Sequence, residues 1–172
     1  MERDEFVERF GPIFQGEPWI ADEAWERRPF AGLYDLRLAF QSAMFDAPPE
    51  RQLELIRSYP DLAGRTTADR PLAPESRRDQ AFAGLHRLSE DEYDIFGRLN
   101  AQYRQRFDFP FVICVRDHTK ETILTNLEAR LGNPPAQERA TALVEIAKIA
   151  NLRLLDLVED PKADQGTVAE RA

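Results

Sequence analysis

Only one stretch of this chain, Phe109-Pro110-Phe111-Val112-Ile113-Cys114-Val115, has strong β character. No partner strand is evident elsewhere, and an isolated strand is not stable in water. A sheet is therefore excluded, and helices have to bury the apolar residues. The stretch itself reads as an extended or one-turn segment packed between helices. The fold class that follows is all-α, a single-domain bundle of roughly eight helices.

Proline and glycine punctuate the helical periodicity. Phe6, Val7, Phe10 and Phe14 recur at helical spacing, which predicts a helix over 3–14, broken by Gly16 and Pro18. Asp22 is a good N-cap for a short helix carrying Trp25, closed before Pro29. Residues 32–46 and 50–57 give two more helices on either side of Pro48-Pro49. Tyr59 to Gly64 is a turn, and 65–73 a loop. A helix is expected from Pro74 to Leu88, with proline in its first turn. Ser89 with Glu92 forms a capping-box pattern for a helix over 90–106. Thr119 caps another, ending near Gly132-Asn133, and Pro134-Pro135 opens the last, to Glu159. Residues 1–160 form one helical domain in this reading, and 161–172 a polar tail.

Composition limits the function classes. With 42% hydrophobic and 31% charged residues the chain is globular rather than disordered. A net charge of −8 argues against nucleic-acid or anionic-membrane partners, which need clustered Lys and Arg. Cys114 is the only cysteine, so an internal disulfide is impossible. No apolar run reaches the ~20 residues of a membrane span, and the charged start from Glu2 to Glu5 is unlike a signal peptide. The expected localisation is cytoplasmic.

Three groups could carry chemistry. Leu143, Ile146, Ala147, Ala150, Leu154 and Leu157 share one stripe of the last helix, with Arg153 on its edge and Lys148 opposite. An arginine at a core edge needs an anion, either an acidic side chain or a bound carboxylate. Val144, Leu152 and Leu155 make a second apolar strip, wrapped by the domain or shared with a second subunit. Ser76, Asp79 and Gln80 share a helix face, which suits either a ureido- or amide-rich ligand or plain solvation near a helix start. Cys114 reads as a small buried hydrophobe. His86 and His118 pair by spacing with no acid or second histidine, so no metal site is expected.

These residues belong to longer motifs: Pro18-Trp19-Ile20-Ala21, Arg28-Pro29-Phe30, Pro60-Asp61-Leu62-Ala63-Gly64, Gln80 with Gly84-Leu85, Leu99-Asn100 with Tyr103, Phe107 to Arg116, Glu145 to Ala150, and Arg153-Leu154. In that order they resemble the 2-oxo-4-hydroxy-4-carboxy-5-ureidoimidazoline (OHCU) decarboxylase family of urate catabolism. The resemblance implies a helical bundle, often a homodimer, working without cofactors on a small ureidoimidazoline acid to give (S)-allantoin. It implies catalytic positions at Tyr59 and Asp79, and substrate-binding positions at Pro60, Ser76, Gln80, the backbone of Phe111, Val112, Ile113, Cys114 and Val115, and Arg153. Two of them depart from the family pattern. Tyr59 stands where the family has its proton-transferring histidine, and Asp79 where it has glutamate. Two further readings stay open: an altered or inactive member binding a ureido ligand or a partner protein, and a structural dimer with a vestigial pocket.

Overall fold

Proline and glycine place the helix ends. In the computed structural model, which describes residues 1–64 and 71–159, α1 runs Arg3–Phe10 and continues as a 3-10 turn, Gly11–Phe14. The single helix expected over 3–14 is thus two pieces, because Pro12 has no N–H for the α ladder. The next helix, α2, is Pro18–Trp25 and starts at its proline rather than at Asp22. The Asp22 carboxylate instead takes Nε and Nη2 of Arg3 at 2.6 and 2.9 Å.

Hydrophobic spacing locates α3 (Leu33–Phe45) and α4 (Pro49–Ser58) well. Helix α5, Pro74–Phe82, stops short of the expected Leu88. Gly84 adopts φ +72°, a left-handed conformation glycine enters freely, and the Leu85 N–H bonds back to the Gln80 carbonyl at 3.0 Å. The Ser89 and Glu92 capping box opens α6 (Glu90–Phe107), and Thr119 caps α7 (Lys120–Arg130). The last helix, α8, spans Pro135–Glu159. Among the described residues the architecture is eight α-helices and two 3-10 turns, with no strand. Most of the expected loop, residues 65–70, and the expected tail lie outside the described residues.

Helix α8 is the central post. The first 3-10 turn, α3 and α4 pack against it, while α1 packs on α2 and α2 on α3. Phe6 anchors that side, with ring centroids of Phe10, Trp25 and Phe40 at 4.7, 5.3 and 6.1 Å. A second aromatic group forms around Tyr103, with Phe107 at 4.5 Å and Phe111 at 5.4 Å.

The stretch from Phe109 is extended and fully buried, then enters the 3-10 turn Val115–Asp117. With no strand beside it, side chains satisfy its backbone. Arg130 Nη1 donates to the Val112 carbonyl at 2.8 Å, and the Cys114 N–H donates to Glu145 Oε2 at 2.8 Å. Helices α7 and α8 thus supply the partners that a neighbouring strand would otherwise give.

Candidate active site

Helix α5 turns its polar face inward. Ser76, Asp79 and Gln80 are buried, whereas Phe82 is 66% exposed. The solvated-face alternative therefore fails, because these three polar side chains are the buried ones and Phe82 of the same helix is the one in water. A cavity of about 320 Å³, counting its mouth, lies against that polar face. Tyr59, Pro60 and Leu62 come to it from the turn after α4. Phe111, Val112, Ile113 and Val115 come from the extended segment, and Ile149 and Arg153 from α8. Of the eleven residues implied by resemblance, Cys114 alone is not on this wall. Its side chain is buried on the other side of the segment, beside Arg116 and Leu152.

Arg153 is fully engaged. Nε and Nη2 both donate to Asp79 Oδ2, at 2.9 and 2.8 Å, and Nη1 donates to the Ile13 carbonyl at 3.0 Å. With its amide oxygen turned toward the guanidinium, Gln15 accepts from Nη2 at 3.1 Å and Nη1 at 3.2 Å. Ser76 Oγ lies 3.4 Å from Nη2. Of the two anions open to Arg153, the structure shows the acidic side chain, Asp79; the guanidinium also lies 6.0 Å from the centroid of the Tyr59 ring.

Tyr59 is buried and its hydroxyl has no hydrogen-bond partner in the protein. Asp79 does not reach it, because Arg116 and Arg153 occupy the two carboxylate oxygens. Burial is the main reason the phenol is pushed up to about 12; the Arg153 charge works to lower it and Asp79 to raise it. Gln80 also holds an unused donor. Its Oε1 accepts the Ala63 N–H at 3.1 Å, but Nε2 has no partner.

Sequence reasoning passed over the clamp on the Pro60 turn. Ala63 sits at φ +53°, and Asn100 Nδ2 donates to the Leu62 carbonyl at 2.8 Å. One helical turn further along α6, Arg104 Nε donates to Asp61 Oδ1, also at 2.8 Å. The usable signal was the i, i+4 spacing of Asn100 and Arg104. Among the described residues no group of three or more His, Cys, Asp or Glu is placed to hold a metal ion.

The buried Tyr59 phenol and Cys114 thiol, each pushed up to about 12 chiefly by burial, set an alkaline limit on stability. The folded protein keeps these protons after the unfolded chain has released them, at about pH 10 for tyrosine and 8.5 for cysteine. Their stabilisation is fully present below those values and is lost as pH rises toward 12. Tyr59 alone accounts for a loss on the order of 3 kcal/mol. Urea midpoints measured from about pH 8 to 11.5 fall progressively, and Tyr59→Phe removes part of the slope.

A family model for OHCU decarboxylase matches residues 1–155 of this chain. The 2-oxo-4-hydroxy-4-carboxy-5-ureidoimidazoline decarboxylase of Amia calva is 45% identical over 158 residues, covering 92% of this chain and 90% of that one. The Haloferax volcanii protein of the same name is 41% identical over 156 residues, covering 91% and 90%. A crystal structure of OHCU decarboxylase in the presence of (S)-allantoin shares the fold, with a TM-score of 0.71 at 22% identity over 91% of this chain and 99% of that one. With a helical bundle that builds the expected cavity and relatives that span nearly its whole length, the chain belongs to the OHCU decarboxylase family.

Proposed function

We propose that this protein decarboxylates OHCU to (S)-allantoin in urate degradation, without a cofactor. The observation that carries the reading is the pair of unused polar groups, Tyr59 Oη and Gln80 Nε2, on one cavity whose wall holds the Arg153 charge. Buried polar groups without partners are costly, so a site that keeps two of them is built for a polar ligand. A ureidoimidazoline acid offers the carbonyl and amide groups to match.

In the reaction the bond from the ring carbon to the carboxylate breaks and carbon dioxide leaves. The electron pair stays on that carbon, delocalised into the neighbouring unsaturated ring. Tyr59 then delivers its proton to one face, which fixes the enantiomer, and regains a proton from water. A phenol raised to about 12 is a reluctant acid, so its help comes late, once negative charge has built up on the substrate. Arg153, the one charge that lowers this phenol, steadies the phenolate left behind. Asp79 serves by holding Arg153 and takes no part in proton transfer. Pro60, Ser76, Gln80 and the segment from Phe111 to Val115 enclose the substrate.

One observation favours a second reading, a member that binds a ureido ligand or a partner without turnover. It is Tyr59 itself, a far weaker acid at neutral pH than the family's histidine. The test is to generate OHCU with urate oxidase and hydroxyisourate hydrolase, add the protein and follow optical rotation. Rapid appearance of one allantoin enantiomer is the expected result. A slow racemic signal equal to the enzyme-free control sinks the decarboxylase reading and leaves ligand binding.

The working form is a cytoplasmic homodimer, with residues 1–160 as its domain and 161–172 as a tail. Exposed apolar side chains on the two packed helices α3 (Tyr34, Leu38) and α8 (Val144, 46% exposed) support the dimer. No helix of the described residues is long and apolar enough to cross a membrane.

A further inference from the structure

Arg116 lies outside the cavity wall, yet it is bonded to Asp79, which is part of that wall. It sits on the 3-10 turn Val115–Asp117, with its side chain only 12% exposed. Nε and Nη2 donate to Asp79 Oδ1 at 2.8 and 2.7 Å. Nη1 and Nη2 donate to the two oxygens of Asp156, at 3.1 and 2.5 Å. Its guanidinium also lies 5.0 Å from the Phe82 ring centroid. Asp156 is on α8, three positions beyond Arg153, and the contacts form a row of alternating charge: Arg153, Asp79, Arg116, Asp156.

The division of the Asp79 oxygens is the informative detail. An arginine and a carboxylate left to themselves favour a fork, with two parallel bonds to two oxygens. Arg153 does not get one here. Arg116 occupies Oδ1, and both Nε and Nη2 of Arg153 converge on Oδ2. That off-fork approach is compatible with Nη1 meeting the Ile13 carbonyl and with the guanidinium face looking toward Tyr59. The Asp79 charge is also shared between two cations rather than spent on Arg153.

We infer that Arg116 is a positioning residue: by fixing Asp79 it orients the Arg153 guanidinium toward the anionic group of the substrate. The role rests on the decarboxylase reading of the cavity. Without Arg116, Asp79 turns to make the fork with Arg153, and the guanidinium swings away from its seat.

The test compares the full-length protein with Arg116→Ala and Arg116→Lys. Two readouts are taken: steady-state kinetics on enzymatically generated OHCU, and the rate at which phenylglyoxal modifies Arg153, mapped by peptide mass spectrometry. In Arg116→Ala, kcat/KM falls about 10–100-fold, carried mainly by KM, as a small misplacement of a binding group produces. Arg153 becomes about tenfold less reactive, because the Asp79 carboxylate released from Arg116 forks onto its guanidinium with both oxygens. Arg116→Lys recovers only part, because an ammonium lacks the planar fork that reaches both carboxylates. Unchanged KM and unchanged Arg153 reactivity in folded Arg116→Ala overturn the inference. If that variant does not fold, Asp156→Asn breaks the same row at a side chain 32% exposed, and the same two readouts decide. Should the wild type not turn over OHCU, the functional reading fails, while Arg153 reactivity still decides whether Arg116 positions it.

Discussion

Tyr59→Phe lowers kcat by about 10²–10⁴ and leaves KM within a few-fold of wild type, the signature of a lost proton donor. The same change leaves the fold at least as stable, with a gain of about 1 kcal/mol from removing a buried hydroxyl that bonds nothing. Opposite signs in activity and stability distinguish this outcome from general damage. Kinetics on fresh OHCU and urea unfolding of the same preparation check both halves. A kcat equal to wild type removes Tyr59 from the chemistry. Tyr59→His restores the family's proton donor, and it keeps turnover at or above the wild-type level.

Glu138→Ala has the largest effect on stability, about 3–5 kcal/mol, because it strips a buried cation of its anion. Glu138 is fully buried. Its Oε2 accepts from Arg130 Nε at 2.9 Å and from the Tyr103 hydroxyl, and its Oε1 accepts from Asn133 Nδ2 at 2.8 Å. Arg130, also buried, spends Nη1 on the Val112 carbonyl and stands 4.4 Å from the Phe111 ring centroid. Loss of the carboxylate therefore reaches the cavity, since Phe111 and Val112 are part of its wall. Thermal unfolding gives a midpoint lower by roughly 6–20 °C, at 2–4 °C per kcal/mol for a chain of this size. Replacing the pair together, Glu138→Leu with Arg130→Met, recovers much of the loss, because no buried charge is then left unpaired. A double variant no better than the single one shows that the rest of the polar cluster, Tyr103 and Asn133, carries the stability.

The sequence by itself determined the fold class and most helices. One lone β-like stretch excludes a sheet, and capping boxes, prolines and hydrophobic spacing are local signals that act within a few residues. Its motifs also named ten of the residues that line the cavity. It misplaced helix ends where two local signals competed, as at Pro18 against Asp22, and at Gly84 against the apolar spacing to Leu88.

Only the tertiary structure decided which face of α5 is buried, since a polar face inside violates the pattern rule and makes sense only around a cavity. It also decided who holds whom. Arg153 and Asp79 are 74 positions apart, and Arg116 and Asp156 are 40 apart. No spacing rule connects them, because an ion pair is chosen by distance and desolvation in space, not by order along the chain. The same holds for Tyr59: the sequence marks it as unusual, but only the folded surroundings leave its hydroxyl without a partner and, chiefly through burial, make its proton hard to release.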